Sequence, residues 1–147
     1  MAYSIIDADQ EFLDRMEALE EQCFSVPWTH EQLAGQISGE NRICLLATEG
    51  EALLGYVGML YVLDEGYITN VAVTPKRRRQ GIGDALISAL LARAEALSLS
   101  FVTLEVRESN AAARKLYGKH GFRPVGLRKN YYDLPKENAV LMTCFLK

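Results

Sequence analysis

The stretch Tyr67-Ile68-Thr69-Asn70-Val71-Ala72-Val73-Thr74-Pro75-Lys76-Arg77-Arg78-Arg79-Gln80-Gly81-Ile82-Gly83-Asp84-Ala85-Leu86-Ile87, running on to Leu91, decides how the rest of the chain is read. Its first part is rich in β-branched residues and stops at a proline, which predicts a strand. Its last part carries Ile82, Leu86, Ile87, Leu90, Leu91, Ala94 and Leu97 at helical spacing, which predicts a helix with one buried stripe. Between them lie Lys76, Arg77, Arg78 and Arg79, followed by Gly81 and Gly83. A strand that feeds a glycine-containing loop at a helix start is a place to bind phosphate. Free backbone N–H groups and the positive end of the helix dipole meet there. Glycine lets an anion approach the backbone closely.

Both familiar nucleotide motifs fail on this loop. A Walker loop ends in Gly-Lys-Ser/Thr, and Gly81-Ile82-Gly83-Asp84 does not. A dinucleotide fingerprint needs a third small residue where Leu86 stands. The spacing Arg78-x-x-Gly81-x-Gly83 instead resembles the acyl-CoA pyrophosphate loop of the GCN5-related N-acetyltransferases (GNAT). The loop alone is also compatible with a helix start behind a solvated basic run, a localisation signal or a nucleic-acid patch.

The chain has 147 residues, which predicts one domain over 1–147 with room for a sizeable core. Apolar residues make up 49% and charged residues 24%, the balance of an ordinary soluble globular protein. A net charge of −3 argues against binding a polyanion with the whole surface, so no direct nucleic-acid binding is expected. Cys23, Cys44 and Cys144 are widely spaced, without metal-ligand spacing, and are read as buried free thiols in a reducing compartment. The N-terminus lacks a basic-then-apolar signal segment, and no apolar run reaches membrane-spanning length. The expectation is a cytoplasmic protein with no membrane association.

Along the chain, Tyr3 to Ile6 reads as a strand and Ala8 to Cys23 as a helix carrying Phe12, Met16 and Leu19. Val26-Pro27-Trp28 interrupts, and Thr29 caps a short helix over Glu31 to Ile37. Strands follow at Ile43 to Ala47 and Leu53 to Leu63, with a turn at Asp64-Glu65-Gly66. After the long helix, Phe101 to Arg107 alternates strictly, with Val102, Leu104 and Val106 on one face and Thr103, Glu105 and Arg107 on the other. Ser109 or Asn110 caps a helix with Ala113, Leu116 and Tyr117 on one side, ending at His120-Gly121. Two last strands, Phe122 to Asp133 and Val140 to Leu146, flank a turn at Leu134 to Asn138. The order predicts an α/β (α+β) fold, a mixed sheet with helices against its faces.

A second motif extends the resemblance. Leu104-Glu105-Val106-Arg107-Glu108-Ser109-Asn110-Ala111-Ala112-Ala113-Arg114-Lys115-Leu116-Tyr117, then Gly121-Phe122 and Arg128-Lys129-Asn130-Tyr131-Tyr132, together with Val26-Pro27-Trp28, look like the branch of that family that acetylates ribosomal-protein N-termini. The resemblance implies the GNAT fold, a mostly antiparallel sheet of six to seven strands with helices on both faces. It implies acetyl-CoA as cosubstrate and a protein N-terminus as acceptor, with alanine of ribosomal protein S18 the expected one. It further implies backbone contacts to the acetyl and pantetheine groups from Val71, Ala72 and Val73. The pyrophosphate would be wrapped by Arg78, Arg79, Gln80, Gly81, Ile82, Gly83 and Asp84, with a cofactor contact from Asn110. A peptide groove near Trp28, Tyr131 and Tyr132 is implied as well.

The chemistry asks for a base and an acid. An amine must lose a proton before it attacks a thioester, and a nearby carboxylate can take it. Pattern alone reads Glu105 as one more residue on a solvated face; the resemblance makes it the base. A phenol can protonate or hydrogen-bond the leaving thiolate. Tyr117 reads from pattern as a packing residue, and the resemblance makes it the acid. Transfer is expected to be direct, in a ternary complex, since no Cys–His motif recommends a covalent intermediate. His30, His120 and scattered acids make no metal spacing, so no metal is expected. Asp64, Glu65, Glu108 and Asp133 are expected to attract a basic peptide. A monomer is expected. The alternatives are a family member acting on a small amine or a lysine side chain, and a non-catalytic acyl-CoA binding module.

Overall fold

The computed structural model describes residues 3–147. In chain order these form β1 (Ser4–Asp7), α1 (Leu13–Cys23), α2 (His30–Ser38), β2 (Arg42–Glu49), β3 (Ala52–Val62), β4 (Glu65–Val73), α3 (Ile82–Ala96), β5 (Phe101–Arg107), α4 (Ala111–Lys119), β6 (Arg123–Asp133) and β7 (Lys136–Phe145). The seven strands make one sheet in the order β1-β2-β3-β4-β5-β7-β6. Neighbours are antiparallel except β4 and β5, which run parallel.

Alternation along the strands feeds two cores. Leu45, Val57, Met59, Val102, Leu104 and Val106 meet Ile82, Leu86, Ile87, Leu90 and Ala94 of α3 and Tyr117 of α4 on one face. Cys44, Leu46, Tyr56 and Ala72 meet Leu13, Met16 and Leu19 of α1 and Leu33 of α2 on the other. Leu86 is fully buried at the middle of the α3 stripe. Leu86→Ala is expected to lower stability by about 2–5 kcal/mol, read as a shift in the denaturant midpoint at constant slope.

Several expected boundaries move for local reasons. The first helix opens with a 3-10 turn at Gln10–Phe12, capped by the Asp9 carboxylate, which accepts from the Glu11 N–H at 2.9 Å. Thr29 caps α2 in a reciprocal capping box with Gln32. Leu97, expected in the buried stripe, is 42% exposed because α3 ends at Ala96 and Ser98 turns left-handed at φ 60°; Leu99 fills the core instead. The turn expected at Asp64-Glu65-Gly66 is only Leu63-Asp64, with Leu63 at φ 56°. Gly66 lies inside β4, where a Cβ would stand 3.0 Å from both Leu99 and Met59. The turn expected over Leu134 to Asn138 contracts to Leu134-Pro135, since β7 begins at Lys136.

The feature that creates a site is a break in pairing. Between β3 and β4, Gly58 faces Asn70 while Met59 faces Ile68, so Thr69 is an extra residue on β4. Such a bulge bends its strand and increases its twist. β4 and β5 pair only through Glu65 with Phe101, Gly66 with Val102 and Tyr67 with Thr103. Beyond Tyr67 the parallel strands separate, and β4 is left paired on its β3 side alone through Val73.

Candidate active site

Glu105 stands on β5 just beyond the last paired residue, and its side chain is only 7% exposed. Oε1 accepts from the Tyr67 hydroxyl and, at 3.5 Å, from the Tyr131 hydroxyl. Oε2 lies 2.7 Å from Nε of Arg128. The face that pattern alone reads as solvated is in fact covered. Thr103 Oγ1 donates to the Met142 carbonyl at 3.0 Å. Arg107 donates to the Pro135 and Leu134 carbonyls at 2.8 and 3.1 Å, pairs with Glu137 at 3.2 Å and lies over the Tyr132 ring. Arg107 thereby ties the β6–β7 hairpin over β5. Burial, then the Glu105 carboxylate, hold the Tyr67 phenol above its ordinary range, so it stays a donor. Tyr67 and Arg128 escape a reading of the chain alone: one looks like the start of a strand, the other like part of a basic run.

Tyr117 lies across the sheet from Glu105, in the core shared by α3 and α4. It is 7% exposed, and its ring packs 5.8 Å from that of Phe122. Burial, with Tyr132 adding to it, raises its phenol above the ordinary range. A carbon placed on Gly83 would come within 3.1 Å of Leu116 and 4.0 Å of Val73, so the start of α3, the end of β4 and α4 converge here. Asn110 caps α4, accepting from the Ala113 N–H at 3.1 Å. The separation of β4 and β5 thus opens between a carboxylate on one face and a buried phenol on the other.

The loop leading into α3 is built to leave amides free. Arg79 and Gly81 both take left-handed φ, 64° and 82°. Gly81 caps the helix without a side-chain acceptor, so the N–H groups of the first turn, Ile82 to Asp84, are open to an anion. Lys76 and Arg79 are exposed. Arg77 pairs with Glu49 at 3.0 Å and with Gln80 at 2.8 Å. Arg78 turns back to the Val73 carbonyl at 3.2 Å and the Cys23 sulfur at 3.5 Å. The Asp84 carboxylate is held by His120 and Lys119, at 3.0 and 3.2 Å, and braces the end of α4. Val71 and Val73 face the α3 core, and Ala72 faces α1.

A buried network supports the opposite wall. Glu20 of α1, 1% exposed, accepts from the Trp28 N–H at 2.8 Å, from the Tyr56 hydroxyl and from the Asn70 amide at 3.3 Å. Asn70 Oδ1 is buried without a partner among the described residues. One carboxylate therefore joins α1, the Trp28 loop and the bulge of β4. Glu20→Ala leaves the buried donors of Tyr56 and Asn70 and the half-buried Trp28 N–H unanswered and is expected to cost about 3 kcal/mol or more, measured by denaturation.

The residues expected to form a peptide groove lie on two sides. Trp28 is half-buried on the α1–α2 loop; Tyr131 is exposed on β6, edge-on to half-buried Tyr132 at 5.0 Å. The Ser25 hydroxyl donates to the Leu134 carbonyl and links that loop to the hairpin turn. Of the four acids expected to attract a peptide, Asp133 lies at the hairpin turn and Glu108 bonds to Asn138 of the hairpin. Glu65 sits instead where β4 and β5 are still paired, and Asp64 accepts from Ser100 beside it. Donor atoms of Asp14, Glu17 and His30 lie within 4.8 Å of one another on α1 and α2, a grouping that their spacing conceals. His30 and Glu17 are paired with each other there, at 2.8 Å. Cys23 is half-buried, Cys44 and Cys144 buried, and all three are free thiols. Among the described residues no helix is long and apolar enough to cross a membrane.

Residues 13–122 match the model of the acetyltransferase (GNAT) family. A [ribosomal protein bS18]-alanine N-acetyltransferase of Haemophilus ducreyi is 36% identical over 149 residues, covering 99% of this chain and all of its own. The crystal structure of the ribosomal-protein-S18-alanine N-acetyltransferase of Escherichia coli superposes with a TM-score of 0.91 at 31% identity, over 99% of this chain and 94% of that one. Arabidopsis thaliana NAA60, crystallised with acetyl-CoA, shares the fold at a TM-score of 0.90 and 20% identity, over 98% of both chains. The seven-stranded sheet with helices on both faces is the fold of these proteins, and the chain belongs to the GNAT family as an acetyl-CoA-dependent N-acetyltransferase.

Proposed function

We propose that this enzyme acetylates the N-terminal α-amino group of a protein, with the N-terminal alanine of ribosomal protein S18 as its acceptor. The full-length relationship to enzymes named for that substrate supports the choice. The observation that carries the chemistry is Glu105, a nearly buried carboxylate at the point where β4 and β5 separate. We assign it the role of base. An α-amine has an ordinary pKa of ~7.7–8.0, against ~10.4 for lysine, so a carboxylate has less work to do on an N-terminus.

In this reading the backbone edge of β4 at Val71, Ala72 and Val73 holds the acyl and pantetheine part as an added strand would be held. The open amides from Ile82 to Asp84, behind Gln80 and Gly81 and with Arg78 and Arg79 in the same loop, receive the pyrophosphate. Asn110 contributes a cofactor contact from the cap of α4. Glu105 takes a proton from the ammonium, and the neutral amine then adds to the acyl carbon, its nitrogen losing a second proton as the adduct collapses. The carbon–sulfur bond breaks, and Tyr117 gives its proton to the leaving sulfur. The products are the acetylated N-terminus and the free thiol; of the two protons lost by nitrogen, one passes from Glu105 to solvent and the other restores the Tyr117 hydroxyl. No covalent acyl-enzyme and no metal take part. Trp28, Tyr131 and Tyr132 line the groove that admits the first residues of the peptide. One chain supplies the whole site, so a single-domain monomer working in the cytoplasm suffices.

Mass spectrometry tests the acceptor. A peptide with the N-terminal sequence of S18, beginning with alanine, should gain one acetyl group from acetyl-CoA. An N-blocked copy with an internal lysine should gain none. Modification of the blocked copy alone would move the activity to lysine side chains.

A further inference from the structure

Arg128 has no part in the chemistry above, yet it touches the carboxylate on which that chemistry depends. Of the two oxygens of Glu105, Oε1 is engaged by the hydroxyls of Tyr67 and Tyr131. Oε2 faces Nε of Arg128 at 2.7 Å. An incoming ammonium needs a carboxylate oxygen, and the one not held by phenols is covered by the protein's own cation. The two ends of this pair differ: the Glu105 side chain is 7% exposed and that of Arg128 55% exposed. Arg128 stands where the β6–β7 register breaks, the next regular pair being Tyr132 with Glu137. Within that break Asn130 takes a left-handed φ of 53°. A guanidinium that is more than half in water, at the last regular pair before a break, loses little by leaving. The carboxylate, on strand β5 and held by phenols from β4 and β6, stays.

We propose that Arg128 is a displaceable cap on Glu105: its guanidinium occupies the seat of the substrate ammonium and gives way when a peptide N-terminus binds. This rests on the reading of Glu105 as the acceptor of the amine proton. The cap also acts on specificity. An amine delivered with a peptide in the groove brings contacts that help it replace the guanidinium, and a small free amine brings none.

The test is steady-state kinetics of Arg128→Ala with an alanine-starting peptide. Removing the competitor should lower the peptide KM about two- to five-fold, as expected for a weak, partly exposed ion pair. The KM for acetyl-CoA should not move. Added methylguanidinium should then inhibit the variant competitively with peptide, and raise its KM toward the wild-type value. An unchanged or raised peptide KM would overturn the cap and make Arg128 a contact for the peptide instead. If the variant does not fold, 15N NMR of the wild-type enzyme gives the answer. The Arg128 Nε–H should be protected from solvent exchange in the free protein and lose that protection when peptide saturates it; protection that persists would overturn the proposal. Failure of the base assignment shows elsewhere: Glu105→Gln would then turn over at the wild-type rate, whatever Arg128→Ala does.

Discussion

Glu105→Gln is expected to lower kcat by about 10²- to 10³-fold, while acetyl-CoA binds as in the wild type. Glutamine keeps the size of the side chain and an oxygen for the hydroxyls of Tyr67 and Tyr131. It cannot take a proton from an ammonium. Residual turnover should climb between pH 7 and 9, because solution then supplies the neutral amine that the enzyme no longer makes. The loop proposed to hold acyl-CoA, Arg78 to Asp84, lies on other elements and should be untouched, so isothermal titration with acetyl-CoA separates lost chemistry from lost binding. Wild-type turnover in this variant would remove Glu105 from the mechanism.

Tyr117→Phe is expected to lower kcat by about 10- to 10²-fold with little change in peptide KM. The smaller effect follows from the leaving group. A thiol has an ordinary pKa near ~8.5, so its thiolate departs with less help than an alkoxide would need. The pH dependence has a definite sign. Burial raises the Tyr117 phenol above its usual ~10, and the neutral, donating form therefore persists through the alkaline end of an ordinary assay. No falling limb in kcat attributable to Tyr117 should appear up to about pH 10. An alkaline limb below that point, present in the wild type and absent in Tyr117→Phe, would contradict a raised phenol.

Much of this was readable from residues that act through local geometry. The run from Tyr67 to Ile87 announces strand, loop and helix because β-branched residues, a proline, paired glycines and a helical stripe each act over a few positions. Thr29 and Asn110 are legible as caps for the same reason. What stayed hidden depends on partners distant in sequence. The parting of β4 from β5 is a matter of pairing across 36 residues at Tyr67 and Thr103, and of the extra residue Thr69. Glu20 sits next to Glu21 in an acidic stretch and looks solvated. Only the arrival of Tyr56 and Asn70 from the sheet buries it. Tyr67 and Arg128 meet Glu105 from two different strands, and no spacing within either strand encodes that meeting. Leu97 failed as a core residue because one left-handed residue, Ser98, handed its place to Leu99.

The most direct test of the site as a whole is a crystal structure of Glu105→Gln with acetyl-CoA and an alanine-starting peptide trapped together. The acyl group should lie in the gap between β4 and β5, beside Val71 to Val73. The peptide nitrogen should point to residue 105 and the thioester sulfur to the Tyr117 hydroxyl. A peptide amine directed away from residue 105, or a sulfur beyond hydrogen-bond reach of Tyr117, would contradict this arrangement.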